Sequence, residues 1–498
     1  MSQINISNLT FAYEGSYDNI FTDVSFSIDT DWKLGFCGRN GRGKTTFLKL
    51  LMGKYEFHGS ITASVNFEYF PFEISDPSEI TMEIMSTIAP DAQLWQFQKE
   101  FSQLAVDESA LYRPFSTLSN GERTKVLLCG LFLRKNSFLL IDEPTNHLDM
   151  EARKTVAQYL NSKDGFILVS HDRMFLDECI DHMLSINKTN IDIQSGNFSS
   201  WFTNKQRQDD YELAENERLR KDISRLESAA RRTSAWSDRS ENRKIGFDPT
   251  KTEKSKGRRA FEGEKSRKMM TRSKSIQDRQ QRGIEEKSKL LRNIESAEAL
   301  KIHSLKYHTS RLLTAENVSV SYDGNSVFDS VSFTIEQRER LTLLGGNGSG
   351  KSSLIKLICG EDIPHRGTIG IGNNLIISYV PQDASFLSGS LDEYADQQNI
   401  DVTLFKTILR KLDFSRVQFE KGMHNYSAGQ KKKVLIARSL CQSAHLYVWD
   451  EPLNYIDVLS RIQIEHLIKT HAPTLLFVEH DRAFCENIAT KTIQLRKS

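Results

Sequence analysis

The chain has 498 residues, 38% of them hydrophobic and 26% charged, and a formal net charge of +1. This is the composition of an ordinary soluble protein, and the length predicts about three domains. The longest strongly apolar run, Val126–Leu133, is far too short to span a membrane, and the opening MSQINISNLTF lacks the basic and apolar regions of an export signal. The six cysteines form no CxxC or Cys/His cluster, which predicts reduced thiols in the cytoplasm rather than disulfides or a metal site.

A series of patterns in the first part of the chain recurs in the last part. Two alternating, strand-like runs precede a glycine loop and an apolar helical pattern in WKLGFCGRNGRGKTTFLKLL, and the same order leads into RLTLLGGNGSGKSSLIKLI. Four landmarks keep nearly the same separation: 307 residues for Lys44 and Lys351, 308 for Ser119 and Ser427, 308 for Asp142 and Asp450, and 309 for His171 and His480. The repetition predicts a duplicated α/β domain, with copies at 1–200 and 311–498.

The segment between the copies carries the charge imbalance of the chain. Residues 205–310 hold 28 Lys and Arg against 18 Asp and Glu, a net charge of +10, so the rest of the chain carries −9. Residues 231–282 alone hold 17 basic and 7 acidic residues. One concentrated basic segment on a nearly neutral protein indicates an anionic partner for that segment rather than general stickiness.

Helical periodicity flanks this basic segment. The seam positions of a coiled coil are occupied by Leu219, Ile223, Leu226 and Ala230 on one side and by Leu290, Ile294 and Ala297 on the other. A helix over 205–232 is about 42 Å long at ~1.5 Å per residue. We therefore predict that 201–310 is a linker built as an α-helical antiparallel hairpin, with a basic tip at about 235–275. For the tip, a folded turn and a disordered, solvated charge run are both compatible with the sequence.

Both copies contain a loop of the form GxxxxGK[ST], at 38–45 and 345–352. Glycines let backbone N–H groups close around phosphate oxygens, and the following helix points its N-terminus at them. Lys44 and Lys351 are predicted to reach the β- and γ-phosphates of a nucleotide, while Thr45 and Ser352 hold Mg²⁺. A glycine-rich turn can be merely a turn, but this one follows a strand pattern, precedes a helix and occurs twice.

An apolar strand pattern ends in two acidic residues in each copy, FLLIDEP (138–144) and LYVWDEP (446–452). Beside a phosphate loop, Asp142 and Asp450 are predicted to contact Mg²⁺, and Glu143 and Glu451 to polarise the attacking water. The alternative is a strand end that is acidic without a function.

A histidine follows another apolar strand pattern in each copy, His171 in LVSHD and His480 in FVEHD. A single histidine at such a place is usually a satisfied side chain. Recurrence at a matching offset favours a contact to the γ-phosphate.

The motifs LSNGE (118–122) and YSAGQ (426–430) resemble the signature motif of ABC ATPases. In each copy the signature glycine precedes the acidic strand end by 21 residues. The resemblance implies two ABC-type P-loop nucleotide-binding domains in tandem, in which the signature of one domain closes over the nucleotide held by the other. The implied pairs are Lys44 with Ser427 and Gly429, and Lys351 with Ser119 and Gly121.

The same resemblance implies two sets of ligand-binding residues, with ATP and Mg²⁺ as the cofactors; the family places an aromatic side chain against adenine, where this chain has Tyr13 and Tyr322. The residues implied to bind ATP are Tyr13, Gly38, Asn40, Gly41, Gly43, Lys44, Thr45, Thr46, Ser119, Gly121, Glu122, Tyr322, Gly345, Asn347, Gly348, Gly350, Lys351, Ser352, Ser353, Gln382, Ser427, Gly429 and Gln430. Those implied to bind Mg²⁺ are Thr45, Asp142, Ser352, Gln382 and Asp450. Those implied in hydrolysis are Glu143, Glu451, His171 and His480.

Two such domains in one chain, with no membrane segment and a charged helical linker, resemble the ABC-F family. The stretches WKLGFCGRNGRGKTT, YRPFSTLSNGE, DEPTNHLD, YELAEN and WDEPLNYID are similar to its antibiotic-resistance subgroup of the Lsa and Vga type. This implies a cytoplasmic monomer that pairs its own two domains, has no membrane partner and binds the bacterial ribosome. The implied contacts are the tRNA exit-site region of the 50S subunit, 23S rRNA and the P-site tRNA. The implied activity is protection against lincosamides, pleuromutilins and streptogramin A compounds, with ATP hydrolysis driving release.

The linker tip supplies the candidate contacts to ribosome or drug. They are Trp236, Arg243, Lys244, Phe247, Lys254, Arg258, Arg259 and Phe261. Basic side chains attract rRNA phosphates, and the aromatic ones either stack on bases or pack the hairpin.

Three other functions fit parts of the pattern: a housekeeping factor that relieves stalled ribosomes, the ATPase subunit of a membrane exporter, and a DNA-repair ABC ATPase. The exporter leaves the basic linker without a role, and repair ATPases usually bring long coiled coils or zinc modules.

The copies differ at positions that matter for hydrolysis. The second copy has Gln382 where the family places a glutamine that contacts Mg²⁺ and water, whereas the first copy has Phe72. The first copy reads DEPTNHLD, whereas Leu453 and Tyr455 replace its Thr and His in the second. We therefore predict unequal turnover, with the Lys44 site slower than the Lys351 site.

Overall fold

The computed structural model describes residues 2–14, 19–146, 148–186, 191–245, 300–322 and 325–496, with backbone only for 230 and 233–245, and isolated positions between 268 and 282. It separates into two compact units, Met1–Trp201 with Ala297–Ser498, and Phe202–Ser296. The two copies therefore belong to one unit and most of the linker to the other. The domain boundaries 1–200, 201–310 and 311–498 stay predictions.

The first copy contains two sheets. Its strands are β1 (Gln3–Phe11), β2 (Phe21–Asp29), β3 (Lys33–Cys37), β4 (His58–Thr62), β5 (Asn66–Phe70), β6 (Ser137–Asp142), β7 (Phe166–Val169), β8 (His182–Ile186) and β9 (Ile191–Ser195). The larger sheet has the order β5-β6-β7-β3-β8-β9 and is parallel except for β9, and the smaller one is antiparallel with the order β2-β1-β4. Its helices are α1 (Lys44–Leu51), α2 (Thr81–Ile88), α3 (Leu94–Gln103), α4 (Asn120–Phe132), α5 (Met150–Asn161) and α6 (Arg173–Cys179), with 3-10 turns at Glu108–Tyr112 and Phe115–Thr117.

One long helix, α7 (Phe198–Ile245, 48 residues), follows the first copy. It begins before and ends after the predicted 205–232, and the first part of the predicted tip, 235–245, is therefore helical. The reason is local: the chain has no glycine or proline between 198 and 245 that would interrupt the helix. The second seam of Leu290, Ile294 and Ala297 lies outside the described residues, so the antiparallel hairpin stays a prediction.

The second copy repeats the plan of the first. Its strands are β10 (Arg311–Tyr322), β11 (Asn325–Ser326), β12 (Val331–Glu336), β13 (Arg340–Leu344), β14 (His365–Ile371), β15 (Ile377–Val380), β16 (Leu446–Asp450), β17 (Leu475–Val478) and β18 (Lys491–Gln494). Its helices are α8 (Lys351–Ile358), α9 (Leu391–Gln397), α10 (Val402–Lys411), α11 (Arg416–Phe419), α12 (Ala428–Cys441), α13 (Val458–His471) and α14 (Arg482–Ile488), with a 3-10 turn at Met423–Asn425. The parallel order β15-β16-β17-β13-β18 matches β5-β6-β7-β3-β8, which confirms the predicted duplication.

The central strands of both larger sheets are covered on both faces. β7 (FILV) and β17 (LLFV) are buried at every position, as expected for parallel strands between two layers. In the first copy the core joins the sheets, with Ile4 and Leu9 of β1 in one cluster with Phe36 and Leu140. Because the carboxyl ends of parallel strands meet at one edge, the loops after β3, β6 and β7 come together there.

All six cysteines are thiols rather than disulfides. Across the described parts of the chain, no helix combines the length and the apolar character needed to cross a membrane.

Candidate nucleotide sites

Each glycine loop joins a central strand to the start of a helix. The loop at 38–43 leads from β3 into α1, and the loop at 345–350 leads from β13 into α8. Gly43 adopts a φ of 91°, and a Cβ there would lie 2.5 Å from Cγ2 of Ile20. Gly350 has a φ of 80°, and a Cβ there would lie 2.7 Å from Phe328. Only glycine fits such positions, and the free N–H groups of the first helical turn make each loop an anion site.

The loop lysines lie folded into their own loops. The ammonium of Lys44 donates to the carbonyls of Gly38 (2.7 Å) and Arg39 (3.2 Å). The ammonium of Lys351 donates to the carbonyls of Gly345 (2.8 Å) and Gly346 (2.9 Å). Both lysines are buried. Each ammonium group is therefore already in place at the opening of its loop. When a nucleotide binds, its phosphate oxygens can replace the neutral carbonyls as acceptors.

The acidic strand ends lie beside these loops. In the first copy Asp142 Oδ2 accepts hydrogen bonds of 2.9 Å from Thr45 and from the hydroxyl of Tyr69. In the second copy Asp450 is 1% exposed, and burial, with Glu451 beside it, raises its pKa to about 6. A hydrogen bond from Ser352 opposes this rise in pKa, and the Asp450 oxygens have no further hydrogen-bond partner among the described residues. A buried carboxylate with unused oxygens fits Mg²⁺, a hard cation that binds one or two carboxylates together with substrate phosphates.

The two candidate catalytic glutamates share a backbone conformation. Glu143 and Glu451 follow strands β6 and β16 with φ of 51° and 47°, in the left-handed region that non-glycine residues rarely adopt. A histidine lies next to each carboxylate, His171 Nε2 at 3.3 Å from Glu143 and His480 Nε2 at 3.4 Å from Glu451. Strain of this kind clusters at functional sites, so the duplicated outlier supports a functional role.

The hydrogen bonding of the two glutamates differs. Glu451 Oε2 accepts from the amides of Gln382 (2.8 Å) and Asn454 (2.6 Å). Burial alone would raise the pKa of Glu451, but His480 and Gln382 lower it to about 2. The first copy has Phe72 in place of the glutamine, so Glu143 lacks that amide donor, and the backbone N–H of His171 is the donor beside it. Burial, with Asp142 beside it, raises the pKa of Glu143 to about 8. The surroundings thus shift the pKa values of the two glutamates in opposite directions, down for Glu451 and up for Glu143.

The signature motifs form the starts of α4 and α12. Ser119 accepts a hydrogen bond from the backbone of Glu122 (3.2 Å), whose carboxylate accepts from the backbone of Ser119 (2.8 Å). Ser427 and Gln430 repeat this capping box. Each serine hydroxyl still has its O–H to donate to a phosphate. The side chains of Glu122 and Gln430 are used in hydrogen bonds that cap the two helices, so their contacts to ATP stay predictions.

The side chains of the two candidate adenine-stacking residues contact the first turn of the helix that follows each glycine loop. Tyr13 is 44% exposed and its hydroxyl bonds to Thr46 (2.7 Å). Tyr322 is 46% exposed and its hydroxyl donates to Ser353 (3.0 Å). Both rings are therefore held at one end and open to an incoming base at the other.

A cavity of about 1220 Å³ brings together the loop of the second copy and the signature of the first. Its lining contains the predicted residues Ser119, Gly121, Glu122, Tyr322, Asn347, Gly348, Gly350, Lys351, Ser352, Ser353, Gln382, Glu451 and His480. A Cβ on Gly346 would lie 3.7 Å from Asp149 Oδ2 of the first copy. The structure thus brings Lys351 together with Ser119 and Gly121, the pair implied by the sequence.

The other predicted pair also meets across the copies. The amide of Asn40 in the first loop donates to the carbonyl of Tyr455 at 2.8 Å. A Cβ on Gly429 would lie 2.4 Å from that carbonyl oxygen and 3.1 Å from Asn40 Nδ2. Arg39 lies 3.6 Å from Asp413 of the second copy. The loop of Lys44 is therefore next to the second signature glycine.

Sequence reasoning missed two residues at these sites, Asn454 and Arg153. Asn454 bonds Glu451, and Arg153 donates to the carbonyl of His480 across the copies. Recurrence could have identified both residues. Asn146 and Asn454 are 308 residues apart, and so are Arg153 and Arg461, which is nearly the same separation as that of the other repeated landmarks.

The candidate linker contacts are only partly described. Trp236, Arg243 and Lys244 belong to α7, and nothing is described of their side chains. Phe247, Lys254, Arg258, Arg259 and Phe261 lie outside the described residues.

Two segments, 21–146 and 328–454, match the family model described as ABC transporter. The chain is similar to the Putative ATP-binding protein YdiF of Bacillus subtilis (26% identity; 97% of this chain and 78% of the relative). It is also similar to the Ribosome protection protein VmlR of Bacillus subtilis (25%; 97% and 85%) and to the Energy-dependent translational throttle protein EttA of Haemophilus influenzae (24%; 95% and 88%). A solved structure, an archaeal ribosome recycling factor aABCE1 in complex with the ribosomal stalk protein aP1, has the same fold (TM-score 0.63; 17% identity; 98% and 87%).

Proposed function

Because this chain belongs to the ABC transporter family, whose domains bind ATP, we propose that it is an ABC-F ATPase that protects the bacterial ribosome from antibiotics of the peptidyl-transferase centre. The observation that carries the proposal is the cavity shared by the Lys351 loop and the signature of the first copy. A chain that supplies both halves of its nucleotide sites needs no second ABC subunit. The similarity to a ribosome protection protein over 97% of this chain supports the choice of target.

The geometry supports an ATP-gated closure of the two copies. Nucleotide bound at the Lys351 loop offers its γ-phosphate to Ser119 of the first copy, which stabilises the closed pair. Glu451, ionised and oriented by Gln382 and Asn454, accepts the proton of the attacking water. Asp450 and Ser352 would hold Mg²⁺, which would neutralise charge on the phosphates. Hydrolysis removes the γ-phosphate contact and releases the closed state.

The linker is the part proposed to contact the ribosome. Its net charge of +10 suits rRNA, whose phosphates attract Lys and Arg without regard to sequence. Closure of the copies by ATP makes the linker competent to enter the exit-site region of the 50S subunit, near 23S rRNA and the P-site tRNA. The protein acts in the cytoplasm as a monomer and takes no membrane partner.

Ribosome pelleting tests this proposal directly. We expect the Glu143→Gln/Glu451→Gln protein to co-sediment with 50S-containing ribosomes in ATP, because closure persists without hydrolysis. The same variant with Lys44→Ala and Lys351→Ala is the control, since it lacks the phosphate contacts and should stay in the supernatant. Absence of the hydrolysis-deficient protein from the ribosome pellet would contradict the proposal.

A second candidate, a housekeeping factor that relieves stalled ribosomes, is favoured by the similarity to the translational throttle protein. Drug sensitivity distinguishes the two. Expression in a susceptible bacterium should raise the inhibitory concentration of a lincosamide, a pleuromutilin or a streptogramin A compound. Ribosome binding without any change in drug sensitivity would select the housekeeping function.

A further inference from the structure

Arg153 at the start of α5 holds four acceptors with one buried guanidinium. Its Nε donates to the carbonyl of Leu148 (3.0 Å), and its Nη2 donates to the carbonyl of Thr145 (3.1 Å). Both carbonyls belong to the loop that follows Glu143. Its Nη1 donates to Asp172 (2.8 Å) and to the carbonyl of His480 (3.1 Å). The side chain is 10% exposed. The planar fork of arginine is suited to several acceptors at once, and a lysine offers only a point charge.

One of these four contacts crosses between the copies. His480 belongs to the second copy, and its ring lies 3.4 Å from Glu451 in the Lys351 site. Arg153 therefore joins the loop behind one glutamate to the main chain that carries the histidine of the other site. The bond is charge-assisted and shielded from water, so it is stronger than an exposed neutral one.

The related residue of the second copy is bonded differently. Arg461 donates to the carbonyl of Ile456 (2.9 Å) and to Asp481 (3.1 Å), both in its own copy. Within the described residues, these are the hydrogen bonds of its guanidinium. The charge of Arg461 lowers the pKa of Glu143 and of His171 in the first copy, so Arg461 also lies near the opposite site. Among the residues that the structure describes, however, only Arg153 donates a hydrogen bond to the main chain of the opposite histidine, in the site whose glutamate is held by Gln382.

We propose that Arg153 is a positioning residue for the Lys351 site that acts from the opposite copy. It fixes the backbone of His480 when the copies are paired, so that the histidine and Glu451 are aligned only in the closed state. The inference rests on the ATPase activity proposed above. The competing explanation is that Arg153 only stabilises its own copy through Asp172.

Site-resolved kinetics separates these explanations. In a Glu143→Gln background turnover reports the Lys351 site, and in a Glu451→Gln background it reports the Lys44 site. We expect Arg153→Gln to lower kcat at the Lys351 site about tenfold, the size of one lost charge-assisted hydrogen bond, with KM for ATP little changed. The Lys44 site should change much less. Equal losses at both sites overturn the inference.

Two further variants make the result independent of folding. Arg153→Lys keeps the charge beside Asp172, so it should retain the Tm of the parent protein while kcat at the Lys351 site stays low. Full rescue of that rate by lysine would overturn the inference. Arg461→Gln is the matched control, and it should not reproduce the loss at the Lys351 site.

Amide hydrogen exchange of the full chain, saturated with a non-hydrolysable ATP analogue so that the copies are paired, gives a readout without turnover. Arg153→Gln should speed exchange at 478–482 of the second copy, because a held carbonyl is released. Arg461→Gln should leave 169–173 of the first copy unchanged. Faster exchange confined to the first copy of the Arg153→Gln protein overturns the inference. If neither single-glutamate background hydrolyses ATP, the proposed ATPase activity fails, and exchange at 478–482 still decides whether Arg153 positions His480.

Discussion

Gln382 donates a 2.8 Å hydrogen bond to Oε2 of Glu451. The first copy has Phe72 at the corresponding position, which supplies no donor to Glu143. The two sites therefore differ in the donors that orient the candidate base and in the direction in which its pKa is shifted. This difference leads to the prediction that their rates of hydrolysis are unequal.

The first prediction concerns that inequality. In a Glu143→Gln background, Gln382→Phe should lower turnover at the Lys351 site about tenfold, because Glu451 loses a buried hydrogen bond that orients it. In a Glu451→Gln background, Phe72→Gln should raise turnover at the Lys44 site, since Glu143 gains a donor. Single-turnover measurement of phosphate release gives both rates. Identical rates in the two single-glutamate backgrounds would refute unequal sites.

The second prediction concerns an ion pair between the copies, Arg173 with Glu465 at 2.6 Å, whose side chains are 15% and 9% exposed. A double-mutant cycle of Arg173→Met and Glu465→Gln should give a coupling of about 1.5–3 kcal/mol in the free energy of unfolding, because the pair is largely shielded from water. Urea unfolding followed by tryptophan fluorescence measures it.

The matched control for that cycle is Arg482 with Glu486, a pair at 2.7 Å whose side chains are 58% and 57% exposed. Arg482 holds the place in the second copy that Arg173 holds in the first. Solvent screens this pair, so its cycle should show no measurable coupling. Similar coupling in both cycles would mean that burial is not the cause.

The third prediction concerns acid stability and the pair Lys433 with Asp457, at 2.9 Å with side chains 4% and 0% exposed. Burial alone would raise the pKa of Asp457, but Lys433 and the backbone N–H of Ser460 hold it far below the ordinary value. A carboxyl with a depressed pKa stabilises the fold above the pKa of the unfolded chain. That stability is lost as pH falls from about 4 towards the folded pKa.

Asp457→Asn should therefore cost about 3–5 kcal/mol of unfolding free energy at pH 7, since it leaves the Lys433 ammonium buried and unpaired. The difference from the parent protein should shrink as pH falls below about 4, near the pKa of an unperturbed carboxyl. Glu339→Gln is the control, because Glu339 and Lys491 form a more exposed pair at 3.4 Å. A pH-independent difference would contradict this account.

The fourth prediction concerns the salt dependence of ribosome binding. Arg231 and Arg232 are exposed on α7, in the basic linker. If both contact rRNA phosphates, Arg231→Gln/Arg232→Gln should weaken binding and reduce the slope of log K against log salt by about 1.5. Pelleting of the Glu143→Gln/Glu451→Gln protein over a range of salt concentrations measures the slope.

The control for the salt series is Arg416→Gln/Lys421→Gln, which removes two exposed charges from the second copy. We expect the slope to stay unchanged in this variant, because binding is assigned to the linker. An equal reduction of the slope in both variants would show general charge attraction rather than a linker contact.

The sequence predicted the architecture of the copies because the relevant signals are local and occur twice. A glycine loop after an apolar strand and before a helix needs positive φ at Gly43 and Gly350, and the structure has it at both. The apolar seam indicated helix over 205–232, and α7 contains this range and extends beyond it on both sides, since a seam marks only where a helix packs. Backbone propensity allows the helix to continue as far as Ile245, because no glycine or proline interrupts it.

By itself, the sequence determined the duplication, the phosphate loops, the acidic strand ends and the location of the positive charge. Each depends on residues close together in the chain, where covalent geometry and periodicity limit the choices. Only the tertiary structure decided which groups meet across hundreds of residues. His480 and Gln382 lower the pKa of Glu451, and Arg153 donates to the carbonyl of His480, 327 residues away. Burial and distance set such interactions, and a linear pattern contains neither.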